Sequence, residues 1–163
     1  PRAAAAALRG IDIAVPKAHA LPREPMMEMP RILVVDDEPA ICWALAQLFT
    51  REGYAVQAVE SGAEALALLG QQRFSHVLLD AKLRDMDGLD VARQAGRLDP
   101  RARVFLISAY YYPDDPVIDR ALAEGVIHGF IPKPFSHKQI LDAARGGWRG
   151  FQTHGTCSMD CKS

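Results

Sequence analysis

The chain has 163 residues, 49% of them apolar, with 19 Lys and Arg against 20 Asp and Glu for a formal net charge of -1. This length supports one buried core with tails rather than two domains, and interspersed acids and bases form no basic stripe for nucleic acid or a membrane surface. No apolar run approaches the length that spans a bilayer, and three cysteines make no disulfide framework, so a reducing, cytoplasmic setting is expected.

Residues 1–29 hold a five-alanine run, four prolines and the cluster Met26, Met27 and Met29, with no strand or helix period. They read as a disordered leader or as vector-derived sequence. Ala3 to Leu8 is short for the apolar part of a signal peptide, and Arg9, Asp12 and Lys17 follow it in place of a cleavage region. The folded unit is expected over residues 30–147. Residues 148–163 then form a flexible tail or the start of a linker.

Ile32-Leu33-Val34-Val35 is an uninterrupted aliphatic run, as in a parallel strand covered on both faces. It leads directly into Asp36-Asp37, and Glu38-Pro39 opens a helix predicted over 39–51 that buries Ile41, Leu45 and Leu48 and stops at Gly53. A strand is predicted over 54–59. Ser61-Gly62-Ala63-Glu64 has the spacing of a capping box and starts a short helix with Leu66 and Leu69 inward. There follow a strand over 75–80, a helix over 87–98, a strand over 103–108, a helix over 115–124, a strand over 127–131 and a helix over about 135–145. Such alternation argues for βαβ units and a parallel sheet.

In this register Asp36, Asp37, Asp80, Ser108 and Lys133 fall at or just past the carboxyl ends of the first, third, fourth and fifth strands. Open α/β sheets bind ligands along that edge. Two adjacent carboxylates there act either as ligands of a hard cation such as Mg2+ or as caps of the next helix. Val77-Leu78-Leu79 delivers the Asp80 carboxylate, Val104 to Ile107 the Ser108 hydroxyl, and Phe130-Ile131-Pro132 the Lys133 ammonium. Three carboxylates, a hydroxyl and an ammonium converging on one cleft suit Mg2+ and a phosphoryl group, with Ser108 and Lys133 neutralising phosphoryl oxygens.

Val35-Asp36-Asp37-Glu38, Leu78-Leu79-Asp80 with Met86-Asp87-Gly88, Ser108-Ala109 and Lys133-Pro134-Phe135 together resemble the receiver domain of two-component response regulators. The resemblance runs from Arg31 to about Arg145. It implies a flavodoxin-like (βα)5 doubly wound sheet in the order 2-1-3-4-5. It implies that Asp80 accepts a phosphoryl group from a sensor histidine kinase or histidine phosphotransfer protein. Asp37, Asp80 and the Lys82 main-chain carbonyl would then ligate Mg2+, with Asp36 helping through water. Ser108 and Phe130 would form a switch pair, and the Lys133-Pro134 peptide would be cis. A homodimer through the face of the fourth helix, fifth strand and fifth helix is a further expectation.

The chain departs from the family pattern in three places. Receivers commonly carry a proline where Arg84 or Asp85 falls, and this chain lacks it. Lys82, two residues after Asp80, points either to the phosphoryl group or to solvent. The stretch from Ala109 to Pro116, with Tyr110, Tyr111 and Tyr112, is longer than the usual connection and forms either a partner surface or a stiff loop that covers the helix. Trp43 lies off the inward stripe of its helix, as a half-exposed kinase contact or a partly buried anchor. His76 is expected on the surface or beneath a helix, and His128 and His137 have no ligand partners at useful spacing. His154, Cys157, Asp160 and Cys161 match no common zinc spacing.

The leading expectation is a phosphorylation-driven signalling switch, not a turnover enzyme, with Asp80 as nucleophile. A phosphorylation-independent interaction module on the same fold is the first rival, favoured only if an acidic-site residue or the lysine were missing. A nucleotide-binding flavodoxin-like protein would need a Gly- or Ser/Thr-rich loop after the first strand, where Asp37-Glu38 stands. Little room follows Phe135, so the output is expected to run through a protein contact or a missing output domain.

Overall fold

The structure is a computed structural model, and residues 29–146 are described. The leader reading for residues 1–28, the linker reading after Gly146, and the cluster of His154, Cys157, Asp160 and Cys161 lie outside those residues. Five strands and five helices alternate: β1 (Arg31–Val35), α1 (Pro39–Arg51), β2 (Ala55–Val59), α2 (Gly62–Gln71), β3 (His76–Asp80), α3 (Gly88–Leu98), β4 (Arg103–Ser108), α4 (Pro116–Ala123), β5 (Gly129–Pro132) and α5 (His137–Ala144). All neighbouring strands pair parallel in the order β2-β1-β3-β4-β5. Fold class and strand order are those expected from the sequence.

Alternation of side chains along each strand divides the core into two layers. Leu33, Val35, Val77, Leu79, Val104 and Leu106 face Ala65 and Leu69 of α2, Val91 and Ala95 of α3, and Ile118 and Ala121 of α4. Ile32, Val34, Leu78, Phe105, Ile107 and Ile131 face Cys42, Leu45 and Phe49 of α1 and Ile140, Ala143 and Ala144 of α5. Every residue of β3 is buried, as its central place in the sheet requires.

Two helices sit rotated from the sequence expectation. In α1 the buried stripe is Cys42, Leu45 and Phe49, with Ile41 and Leu48 only half-buried. In α2 it is Ala65 and Leu69, with Leu66 half-buried. Both helices offer more apolar positions than one face can hold, and α1 turns the fully buried Phe49 ring into the core. Trp43, at 68% exposure, is more open than expected.

Helix ends follow local chemistry. Ser61 Oγ accepts the Glu64 N–H at 3.3 Å, Asp87 caps α3 and Asp115 caps α4. The reciprocal capping box sits on α5, where Ser136 and Gln139 satisfy each other's backbone N–H groups. Gly53, at φ +86°, takes the left-handed turn that ends α1.

Candidate functional site

Because all five strands run the same way, their carboxyl ends share one edge. Asp36 follows β1, Asp80 ends β3, Ser108 ends β4 and Lys133 follows β5. Lys133 Nζ lies 2.9 Å from Asp36 Oδ2 and 2.9 Å from Asp80 Oδ1, with Glu38 Oε1 at 3.9 Å. Asp36 is 2% exposed and Asp80 6%. One ammonium thus bridges two carboxylates that would otherwise repel in a place water barely reaches, and the three groups together keep one net negative charge. Backbone amides engage the remaining oxygens, Glu38 N–H on Asp36 Oδ1 at 2.9 Å and Lys82 N–H on Asp80 Oδ2 at 3.0 Å.

Burial raises the Asp80 carboxyl above its ordinary range, against hydrogen bonds from Lys133 and the Lys82 amide, and the Asp36 charge adds to the rise. For the Lys133 ammonium, burial works downward, but hydrogen bonds to Asp36 and Asp80 outweigh it and the net direction is up. The lysine is therefore a fixed positive charge. Its own N–H donates to the Ser108 carbonyl at 2.7 Å, tying the ends of β4 and β5, and the Lys133-Pro134 peptide is cis.

Asp37 is placed differently. Its Oδ2 meets Arg84 Nε at 3.2 Å, and Arg84 is 80% exposed, so this surface pair contributes less than about 1 kcal/mol and yields to a stronger cation. In the sequence Arg84 stands out only by the absence of a proline near it.

Two further features shape the loop after Asp80. A Cβ built on Gly88 would fall 2.3 Å from the Asp80 carbonyl oxygen and 2.7 Å from Ala81 Cα, so only glycine lets the chain fold back against the strand end. Asp85 reaches across to α2, where its two oxygens accept the Gly62 and Ala63 N–H groups at 3.0 Å each. Those bonds hold the Asp85 carboxyl below its usual range. The glycine belongs to Met86-Asp87-Gly88, whereas the Asp85 contact joins residues far apart in sequence and has no local signal.

Lys82 turns toward neither of its expected targets alone. Its Nζ pairs with Asp87 Oδ2 at 2.5 Å and stands 5.7 Å from the centre of the Tyr111 ring, bridging the loops after β3 and β4. Tyr111 packs against the core, while Tyr110 and Tyr112 are 70% and 72% exposed. Ser108 is fully buried, and its Oγ accepts the Tyr110 and Tyr111 N–H groups at 2.9 and 3.2 Å. Phe130 is already buried among the apolar residues beside α4.

The donor set at this edge is all hard oxygen. Among the described residues no three His, Cys, Asp or Glu side chains gather into a ready-made metal cage. The carboxylates fit a cation such as Mg2+, which takes one or two of them and keeps its other positions for water and phosphate. Two of the histidines, His76 and His128, are structural. His76 is buried, stacked at 6.0 Å on Phe105, and burial first, then Arg103 and His128, lowers its pKa to about 4. His128 Nδ1 accepts the Val104 N–H at 3.1 Å.

A twofold-wound parallel sheet with an acidic cleft closed by a lysine at its carboxyl edge is the architecture of a receiver. The chain belongs to the response regulator receiver domain family, whose sequence model matches residues 32–145. It is 33% identical over 115 residues to sporulation initiation phosphotransferase F of Bacillus subtilis, covering 71% of this chain and 90% of that protein. Other curated regulators that it resembles are longer, and the match covers 24% to 49% of them. Among solved structures it superposes on a CheY-like receiver domain protein of Methanospirillum hungatei with a TM-score of 0.68 at 27% identity, over 73% of this chain and 93% of that one. The response regulator TrrA of Thermotoga maritima, solved with Mg2+ and BeF, gives 0.63 at 29% identity over 72% and 98%. No helix among the described residues is long and apolar enough to cross a membrane.

Proposed function

We propose that this receiver takes a phosphoryl group onto Asp80 from a phosphohistidine of a sensor kinase or phosphotransfer protein and passes the change to a protein partner. The carrying observation is Lys133 Nζ, 2.9 Å from both Asp36 and Asp80 at the end of the central strand. That arrangement sets the Asp80 carboxyl beside a permanent cation, which a nucleophile needs in order to approach an anionic phosphoryl group.

In the transfer, an Asp80 oxygen forms the new bond to phosphorus, the phosphorus–nitrogen bond breaks, and the departing imidazole keeps the electron pair. Asp37, Asp80 and the Lys82 carbonyl would hold Mg2+, with Asp36 acting through water. When bound, Mg2+ supplies positive charge to the phosphoryl oxygens. Lys133 offsets another of those oxygens, and Ser108 donates its hydroxyl hydrogen to a third. A Mg2+–BeF complex of the similar TrrA supports this reading. Phe130 is buried before any phosphoryl group arrives, so its part in the switch would be a repacking within the core rather than an entry from solvent.

Incubation of the full chain with acetyl phosphate and Mg2+ is expected to add one phosphoryl mass, acid-stable and alkali-labile, and Asp80→Asn is expected to add none. Full labelling of Asp80→Asn would refute the assignment. A parent chain that takes no label yet binds a partner would favour the phosphorylation-independent module.

A further inference from the structure

The opposite edge of the sheet holds the molecule's other concentration of charge. A cavity of about 760 Å³ opens at the amino ends of β1, β3 and β4, and Arg31, Arg73, Arg101, Arg103 and Arg145 line it against a single acid, Asp99. Residues 29–146 contain thirteen Lys and Arg and sixteen Asp and Glu, so more than a third of the bases, all arginine, surround one pocket on a net acidic domain. Separate stretches of chain deliver them, which is why no basic run marks the sequence.

Ordinary structural roles account for only part of this charge. Asp99 pairs with Arg73 at 3.1 Å, and Glu52 pairs with Arg145. Arg31 reaches the neutral Gln72 amide oxygen at 2.7 Å, and Arg103 stacks 5.4 Å from the Phe105 ring. Among the described residues, Arg101 makes no side-chain ion pair. The carboxyl ends of α1, α2, α3 and α5 open toward this edge, each equivalent to about half a negative charge. Five guanidinium groups against two carboxylates and four helix ends still leave the pocket positive. His76 at its floor adds nothing near neutrality, since its imidazole stays neutral down to about pH 4.

From this geometry we infer that the pocket binds a small soluble ligand carrying two or more phosphate groups, of nucleotide size. Planar guanidinium forks match phosphate oxygens two at a time, and the choice of arginine at all five positions suits that recognition better than lysine would. The cavity volume lies in the range of small-molecule sites. The chain's own ends do not complement it: residues 1–28 hold four bases and three acids, and residues 147–163 two bases and one acid. An external anion is the occupant with the right charge. The site is independent of phosphorylation at Asp80, which lies at the other end of β3.

Pyrophosphate and ADP, titrated separately into the 15N-labelled full chain in Mg2+-free buffer, test the inference through amide shifts. Saturable shifts are expected at residues 73–76, 99–103 and 144–146, with a Kd below about 1 mM that rises steeply with added salt. The exposed pair Arg31→Gln with Arg101→Glu should weaken binding about tenfold or more at an unchanged melting temperature. Asp80→Asn should bind as the parent does, so that failure of the phosphoryl-acceptor reading leaves this result intact. Absence of saturable shifts, equal affinity in the arginine variant, or shifts centred on residues 36, 80 and 133 would overturn it. So would binding to phosphatidylglycerol vesicles or to an acidic peptide without any response to pyrophosphate, which would assign the face to a membrane or a protein.

Discussion

Replacing Lys133 by Met tests the electrostatics of the acidic cleft most directly. The methylene stem is kept, but Asp36 and Asp80 lose the ammonium that each meets at 2.9 Å while staying 2% and 6% exposed. Orphaning a buried ion pair costs about 3–5 kcal/mol. The backbone amides of Glu38 and Lys82 still bind one oxygen of each carboxylate, and Lys133 itself is 15% exposed, so some water can enter. The expected loss is therefore near the low end, about 3 kcal/mol, or about 10 °C in melting temperature for a domain of this size. Urea unfolding followed by far-UV circular dichroism in EDTA at pH 7 measures it. The pH dependence carries the sign. Asp80 already sits above its unfolded value, and without the lysine it rises further. A carboxyl raised in the folded state lowers stability at pH values above its unfolded pKa, and that penalty fades as pH falls through the folded pKa. The gap between variant and parent should therefore narrow on acidification from pH 7, and adding Asp80→Asn to the variant should recover much of the loss. A deficit under about 1 kcal/mol at pH 7, or a gap that widens in acid, would show that the lysine does not hold these charges together.

Three further outcomes are expected. Gly88→Ala should destabilise the domain by about 1–3 kcal/mol or more, measured by urea unfolding, because the added methyl meets backbone at 2.3 and 2.7 Å rather than a side chain that can swing away. Arg84→Ala frees the Asp37 carboxylate and should tighten Mg2+ binding by up to about fivefold in calorimetric titration, the ceiling set by an exposed pair; weaker binding would make Arg84 a helper instead. His76 should titrate by NMR with a midpoint of about 4. Its pKa is depressed in the fold, so its contribution is complete above the unfolded value near 6.5 and is lost as pH falls from there toward about 4.

Strand ends were the most legible part of this chain. An apolar run that stops on a polar or charged residue announces both the strand and the side of the sheet where that group emerges, and Asp36, Asp80, Ser108 and Lys133 all arrive by that device. Helix faces were less legible. In α1, Ile41, Leu45 and Leu48 fit helical spacing as well as Cys42, Leu45 and Phe49 do, and only the sheet beneath decides which set turns inward. Contacts that join distant segments were invisible. Asp85 clasps α2 across twenty-odd residues, and the arginine pocket draws on residues 31, 73, 101, 103 and 145, none adjacent to another. The sequence fairly shows no basic stripe, yet folding assembles a basic pocket from scattered parts.

The Ser108 hydroxyl has three hydrogen-bonding valences, and two are already taken by amides of the loop that follows it. Only its hydrogen remains to give. Truncation to alanine would therefore remove two loop anchors together with the donor, and a silenced Ser108→Ala variant would not distinguish a switch that cannot sense the phosphoryl group from a loop that was never held in place. Threonine keeps all three valences and adds a methyl group to a fully buried position. The informative comparison is thus alanine against threonine, with loop order in the unphosphorylated protein measured before any signal is applied.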